Sequence, residues 1–439
     1  MPKSRLLFGT LVPVLLLAAA PAVAAVWTID EAVATALKQS PDAELARERM
    51  AGAQAMVMQS RAARLPQVIL KGGYTGTNSP LLAFGSILNQ RAFDYSLDFN
   101  RPGRIDNLNA TGLVAYNLYS GGQTTARRSA ARAGEQAAGH DLQTVHQQLA
   151  AEVVKAVLNV QKAREATAAV NAGVKSYEAA VAVARARYDA GQMLKADLLS
   201  LEVQLAQTRE AAIAARHAAR LAEQAFFFVL GLETPATETG FADNDPALAR
   251  LTLPADDDFS ARPELLGLEA RLRAAEAMVD NARAGRKPTV NAFASYQYDQ
   301  GWQTDRDADS WMAGLAVELN LFDGGVTTGK VRQSIAELNQ VKAMQRKARL
   351  GIALEVRQAR DEHTNAQERV AVSARAVEQA AESAALTRAR FAEGAVLTAD
   401  LIGTETRLIE AQLRHTIATA DERSALVELR RALGLNPLN

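Results

Sequence analysis

The sequence predicts an α+β membrane protein of two tandem repeats. Its core is a transmembrane β-barrel of 12 strands, four from each of three chains, continued by a long α-helical coiled-coil barrel. Three observations carry this. The second half of the chain repeats the first. Each half holds two strand-length stretches that alternate with period two. Each half then runs through a long proline-free stretch with heptad spacing.

Composition narrows the function classes. The chain has 439 residues, 48% of them apolar, and its 49 basic side chains balance 49 acidic ones. Zero net charge removes the basic surface that a nucleic-acid partner requires. Absence of cysteine excludes disulfides, thiolate metal sites, cysteine nucleophiles and a lipid-modified N-terminal cysteine. Aromatic residues make up only 5%, so alanine and the aliphatics supply most packing, as in helices that approach closely. Met1 to Ala25 reads as a signal peptide: Lys3 and Arg5, an apolar run from Leu6 to Ala20 broken by Pro13, then Ala22, Ala24 and Ala25. Cleavage falls after Ala24 or Ala25. The run is too short to cross a bilayer, and no later window holds the roughly 18 consecutive apolar residues of a membrane helix.

The repeat is explicit. Pro41 and Pro66 recur as Pro263 and Pro288, 222 residues later, and Glu44-Leu45 and Ala55-Met56-Val57 have counterparts in Glu264-Leu265 and Ala277-Met278-Val279. Tyr116-Asn117-Leu118-Tyr119-Ser120-Gly121-Gly122 matches Leu319-Asn320-Leu321-Phe322-Asp323-Gly324-Gly325 at an offset of 203. Arg185 to Gly191 matches Arg388 to Gly394, and Leu230-Gly231-Leu232 matches Leu433-Gly434-Leu435, at the same 203. The division is therefore a signal peptide at 1–25, a first repeat at 26–233, a linker at 234–258 and a second repeat at 259–439. Each repeat holds a helix, a strand pair (67–119, then 289–322) and a long helical hairpin (122–231, then 325–434). The first carries 19 extra residues between its strands, in Asn78 to Asn107, where a long external loop suits Pro80, Pro102 and several glycines.

Ser120 and Asp323 stand where helix N-caps are wanted, and the double glycines Gly121-Gly122 and Gly324-Gly325 let the chain swing from strand into helix. Gln123 to Ala190 is then one helix on the order of 100 Å long. Its seam is Leu142, Val145, Leu149, Val153, Ala156 and Val160, then Val170, Val174, Tyr177, Val181, Ala184 and Tyr188. The return helix spaces Leu198, Leu201, Leu205, Thr208, Ala212, Ala215, Ala219, Ala222, Phe226 and Val229 at alternating gaps of three and four. Helices alone fit a soluble coiled-coil spacer equally well.

The strands separate these readings. Trp311, Ala313, Leu315, Val317, Leu319 and Leu321 alternate with Met312, Gly314, Ala316, Glu318 and Asn320, and Val290 to Tyr298 behaves likewise. Of the tyrosines and tryptophans, Tyr74, Tyr116, Tyr119, Tyr296, Tyr298, Trp302 and Trp311 fall in or beside strands, as an aromatic girdle would require; a water-soluble half-buried sheet is the alternative. Four strands cannot close a barrel and open edges are not tolerated in lipid, so several chains must contribute.

No motif of an enzyme, metal site or cofactor is present. The five histidines (His140, His146, His217, His363, His415) fall in helical segments and read as solvated surface residues. Asp197 and Asp400 take equivalent places six residues beyond Gly191 and Gly394, at the start of each return helix. Helix-start electrostatics and a role at a pore both explain them.

With these elements in place, the chain resembles the TolC family of outer-membrane ducts. The likeness rests on Thr28-Ile29-Asp30-Glu31-Ala32-Val33, Leu65-Pro66, the two Asn-Leu-aromatic-x-Gly-Gly turns, the Arg-Tyr/Phe-x-x-Gly tips and the Leu-Gly-Leu endings. The resemblance implies a homotrimer in outer-membrane lipid, with a helical extension into the periplasm of a Gram-negative cell. It implies an inner-membrane pump of RND or ABC type and a periplasmic adaptor as partners. Gly191, Gln192, Met193, Leu194 and Gly394, Ala395, Val396, Leu397 would be the adaptor-facing tips. Asp400 and Asp197 would sit at the periplasmic mouth. Phe391 and Val396 stand where the family's latch carries tyrosine and arginine, and Gly403 replaces a second acidic position, so closure through apolar packing is expected. The function so implied is passive conduction out of the cell in efflux or type I secretion; a non-conducting periplasmic adaptor is the alternative.

Overall fold

Residues 26–234, 240–242, 251–254 and 256–436 are described by a computed structural model. The expected signal peptide at 1–25 and much of the expected linker at 234–258 lie outside the described residues. In chain order the elements are β1 (Val26–Trp27), α1 (Ile29–Gln39), α2 (Pro41–Ala62), β2 (Gln67–Thr77), α3 (Pro80–Asn89), β3 (Ile105–Tyr119), α4 (Gln123–Asp189) and α5 (Lys195–Leu230). There follow β4 (Gly240–Phe241), α6 (Pro263–Ala284), β5 (Thr289–Gly301), β6 (Arg306–Glu318), α7 (Val326–Ala392) and α8 (Thr398–Ala432).

Local chemistry sets the boundaries. Thr28 and Glu31 form a capping box that starts α1. Proline opens α2 and α6, where its missing amide costs nothing, and Pro66 and Pro288 fall between those helices and the strands. Before α4 the Ser120 hydroxyl accepts from the Thr124 amide at 3.1 Å. Before α7 the Asp323 carboxylate accepts from Thr327 N at 2.7 Å and Gly325 N at 2.9 Å. The bonds from Thr327 hold the Asp323 carboxyl below its ordinary range.

The helices α4 and α7 have 67 residues each, about 100 Å. Each pairs with its return helix, α5 or α8, and α4 also packs against α1, α2, α6 and α8. The expected seam of α5 is buried or half-buried along its whole length, from Leu198 to Val229. That of α4 is so up to Ala184, while Tyr188 is exposed. The main core joins α1, the middle of α4 and the end of α5, with Phe226 buried among Trp27, Phe227 and Phe241. A second core ties α6, α7 and α8, and there buried Arg262 donates to Glu264 at 2.7 Å, to Glu355 at 2.6 Å and to the Ala432 carbonyl at 3.0 Å.

Four strands make one antiparallel sheet in the order β2-β3-β5-β6, leaving β2 and β6 as edges. Two expectations are corrected. The external connection is not all loop: Pro80, read as a loop marker, is the first residue of the 10-residue helix α3, a position proline favours. The second strand of the pair expected over 289–322 spans Arg306–Glu318 and stops short of 322, because its ladder partner runs out: Glu318 pairs with Thr289, and Pro288 has no amide to continue.

The two double-glycine turns differ in surroundings. Gly121 and Gly324 both adopt positive φ, +65° and +63°. A Cβ on Gly121 would lie 2.8 Å from Lys287 Cβ and 2.9 Å from the Ala284 carbonyl, whereas nothing lies within 4 Å of one on Gly324. Gly324→Ala should therefore cost only the conformational strain of about 1 kcal/mol, and Gly121→Ala about 1–3 kcal/mol more. Thermal unfolding of the two variants in detergent measures the difference, and equal shifts would contradict it.

Candidate functional site

Three surfaces are candidates for function. The first is the outer face of the sheet. The register sets Tyr296 against Trp311, Ala292 against Leu315, Val290 against Val317, Val114 against Ala294 and Val68 against Val114, so the apolar residues share one face across all four strands. Val68, Leu70, Leu118, Trp311, Leu315 and Val317 are exposed there. A bulge between Asn117 and Tyr119 pairs Tyr119 with Val290, which returns its side chain to that face. Tyr74 lies level with Leu108 and Gln300 at the far end and touches Trp302 ring to ring at 5.4 Å. Ten residues of β5 separate the Tyr119 and Tyr74 levels (Val290 to Gln300). At about 3.3 Å per residue and about 40° of tilt this is roughly 25 Å, the height of a barrel's apolar band. Tyr296, Tyr298 and Trp311 lie on the same face between the two levels.

The opposite face is mostly polar, with Ile69, Leu113, Phe293 and Met312 as its larger apolar residues. Asp299, 1% exposed, accepts from Asn107 at 2.6 Å, Asn109 at 3.0 Å and Gln297 at 2.7 Å. Asn117 donates to Asn291 at 2.7 Å lower on the same face. A sheet apolar outside and amide-rich inside has the polarity of a water-filled barrel wall.

The third surface is the pair of hairpin tips, Gly191 to Leu194 and Gly394 to Leu397. Leu194 and Leu397 are the extended N-cap residues of α5 and α8, and both are 72% exposed. Gln192 and Ala395 are also exposed, while Met193 and Val396 are half-buried. Asp197 is half-buried and Asp400 exposed in the first turns beyond. Phe391 is 2% exposed, packed in a cluster with Tyr177, Val181, Ala184, Leu198 and Leu401, with Met193 and Val396 at its margin. The cluster joins both hairpins of one chain.

The sequence reading missed Arg187, which bridges the tips. Its guanidinium donates to the Phe391 carbonyl at 3.0 Å and stacks over the Phe391 ring at 5.7 Å. Tyr177 adds a second tie, its hydroxyl bonding to the Ile402 carbonyl at 3.2 Å and Thr406 at 3.0 Å. Also missed were two equivalent ion pairs behind the tips, Arg185–Glu202 and Arg388–Glu405. The offset of 203 that relates both arginines and both glutamates was the available signal.

The histidine expectation is corrected. His363 is buried at a seam position of α7, in step with Ile352, Val356, Ala359 and Ala366. His146 is half-buried, and its ring is pushed below its ordinary value, first by burial and then by Arg47.

The Glu405 side chain is 1% exposed, so Arg388→Ala would strand a buried carboxylate and cost about 3 kcal/mol or more. The Arg185–Glu202 pair is solvent-exposed, and Arg185→Ala should cost less than about 1 kcal/mol. Denaturation midpoints of the two variants test the contrast, which equal losses would refute.

The comparisons agree with this geometry. Protein CyaE of Bordetella pertussis is 28% identical over 417 residues, covering 92% of this chain and 83% of that protein. The fold matches the solved structure of CusC, with a TM-score of 0.80 at 17% identity over 93% of this chain and 92% of that one. It also matches VceC of Vibrio cholerae, with a TM-score of 0.78 at 20% identity over 93% and 96%. The family model described as outer membrane efflux protein matches residues 32–232 and 259–435. The chain therefore belongs to the outer membrane efflux protein family, whose members are channels of the Gram-negative outer membrane with a periplasmic extension, and not enzymes.

Proposed function

We propose that three copies of this chain close into a 12-stranded barrel and a continuous helical tunnel, forming a passive exit duct. An inner-membrane pump, of RND or ABC type, supplies cargo and energy through a periplasmic adaptor, in efflux or type I secretion. The observation that carries the reading is the incomplete sheet: apolar outside, polar inside, four strands wide and open at β2 and β6. β6 and β2 run in opposite senses, so joining β6 of one chain to β2 of the next continues the antiparallel pattern. Twelve strands then remove every edge from the hydrocarbon. Exposed apolar residues along the helices, Leu199, Val203 and Phe228 on α5 and Met344, Leu350 and Leu354 on α7, offer the contacts between neighbours that the tunnel needs. The matched lengths of α4 and α7, and of α5 and α8, support two repeats at 26–233 and 259–439 joined by a linker at 234–258, behind a signal peptide at 1–25.

The tips fit the adaptor. Leu194 and Leu397 present equivalent apolar knobs beside Gly191 and Gly394, the docking pattern of two similar grooves on a partner. Asp400, exposed next to the second tip, faces the periplasmic mouth and favours cations there. Closure rests on the apolar cluster around Phe391 and Val396 and on Arg187, which ties the first hairpin to the second.

Purified mature chain in detergent should migrate as an oligomer that falls to monomer on heating; a folded monomer stable without detergent would sink the proposal. In planar bilayers Asp400→Ala should lower the preference for cations over anions, and an unchanged preference removes its role. Arg187→Ala should remove about 1–2 kcal/mol from the closed mouth, raising the open fraction on the order of tenfold. Conductance histograms indistinguishable from the parent would refute the Arg187 tie.

A further inference from the structure

We infer that α3 is an internal collar: three copies meet inside the external mouth of the barrel and narrow it with apolar side chains. The inference rests on the trimeric reading above and goes beyond it, since it places a second constriction at the opposite end from the helical tips.

The side of the sheet is fixed by strand parity. The residues that face lipid on β3 and β5 are the even ones, Val114 and Tyr116 against Ala294 and Ala292. The β3 and β5 residues whose side-chain positions meet α3 and its C-terminal cap are odd, and the even Asp106 is met through its backbone carbonyl. Ala83 and Ile87 pack on Ile105, and Gln90 donates to the Asn107 carboxamide at 2.9 Å. A Cβ on Gly301 would strike the Gln90 side chain. The helix also touches β6, and Ala308, which pairs with Asp299 on the odd face, is buried. Helix α3 therefore lies over the polar, inward face of the sheet, at its external end, and cannot reach lipid.

What α3 turns away from the sheet is apolar. Leu81, Leu82 and Leu88 are exposed, as are Phe93, Tyr95 and Phe99 in the segment after it. Phe84, Phe93 and Phe99 form a ring cluster with contacts of 4.9–6.2 Å, so the segment has a defined shape. In a water-filled mouth these residues would lie bare, at an unfavourable free energy of about 25 cal/mol per Å². The barrel's size supplies their cover. Twelve strands about 4.8 Å apart and tilted about 40° enclose a backbone radius of about 12 Å. A helix with its side chains is about 10 Å across, so three of them on the inner wall fill most of that circle. The partner that fits each exposed face is the same face of the two neighbouring chains. An apolar ring of this kind impedes ions by dewetting and yields to cargo that displaces it.

The cysteine-free chain permits a direct test. Leu82→Cys, treated with a short bis-maleimide linker in detergent-solubilised or native outer membranes, should give covalent dimers in high yield. Leu70→Cys, on the lipid face and far from its symmetry mates, should give none. Paired bilayer recordings of Leu81→Asn/Leu82→Asn should show ion conductance at least twofold higher. A native-gel trimer whose Leu82→Cys form does not cross-link, or whose double variant conducts like the parent, would overturn the collar while leaving the duct intact. Equal cross-linking of Leu70→Cys would also overturn it, as random collision. Absence of any trimer on the native gel would instead overturn the reading beneath.

Discussion

The governing constraint is the fate of the backbone groups along β2 and β6. In water an open sheet edge is tolerable, but in hydrocarbon each unpaired amide or carbonyl costs several kcal/mol. A sheet with an apolar outer face is drawn into the bilayer by its side chains and is excluded from it by its edges. Only pairing with further strands reconciles the two. The two-faced polarity of the sheet follows from the same geometry, because alternate residues of a closed wall meet lipid and water in turn. The amide ladder of Asn107, Asn109, Gln297 and Asp299 is stable there because its members bond to one another across β3 and β5, with Gln90 at the end of α3 donating to Asn107.

The helices meet a different difficulty. Their seams are rich in alanine, which brings axes close but buries little area per residue. Length compensates: 67-residue helices sum many small contacts, and α4 makes them with five other helices. Larger side chains are concentrated at two levels. One is the aromatic core around Trp27 and Phe226; the other is the tip cluster around Tyr177 and Phe391. Between them the hairpins depend on close approach rather than on bulk.

Most of this architecture was legible in the sequence because period, punctuation and repetition agreed. The long helices α4 and α7 begin one residue after Gly122 and Gly325 and end two residues before Gly191 and Gly394, since positive φ at these glycines leaves little freedom in placing the ends. The strand faces were legible from alternation alone. What was not legible depended on tertiary placement. Beyond Glu318 the alternation persists in the sequence, but a ladder needs a partner and Pro288 removes it. Pro80 signals a turn and a helix start equally well. His363 looks solvent-facing in a charged stretch, and only the neighbours of α7 bury it. Arg187 belongs to a repeated motif, yet its contact is with the other hairpin, which no local pattern encodes.

Residues at matching places on the two hairpins have unequal surroundings. Arg185–Glu202 and Arg388–Glu405 are the same pair in the same place on each hairpin. Helix α8 packs extensively on α4, so Glu405 is covered by the first repeat; Glu202, on α5, is only partly so. The same asymmetry buries Phe391 and exposes its counterpart Tyr188. Arg187 turns outward from its own hairpin to reach Phe391, so each chain holds its two tips together through contacts made in one direction only.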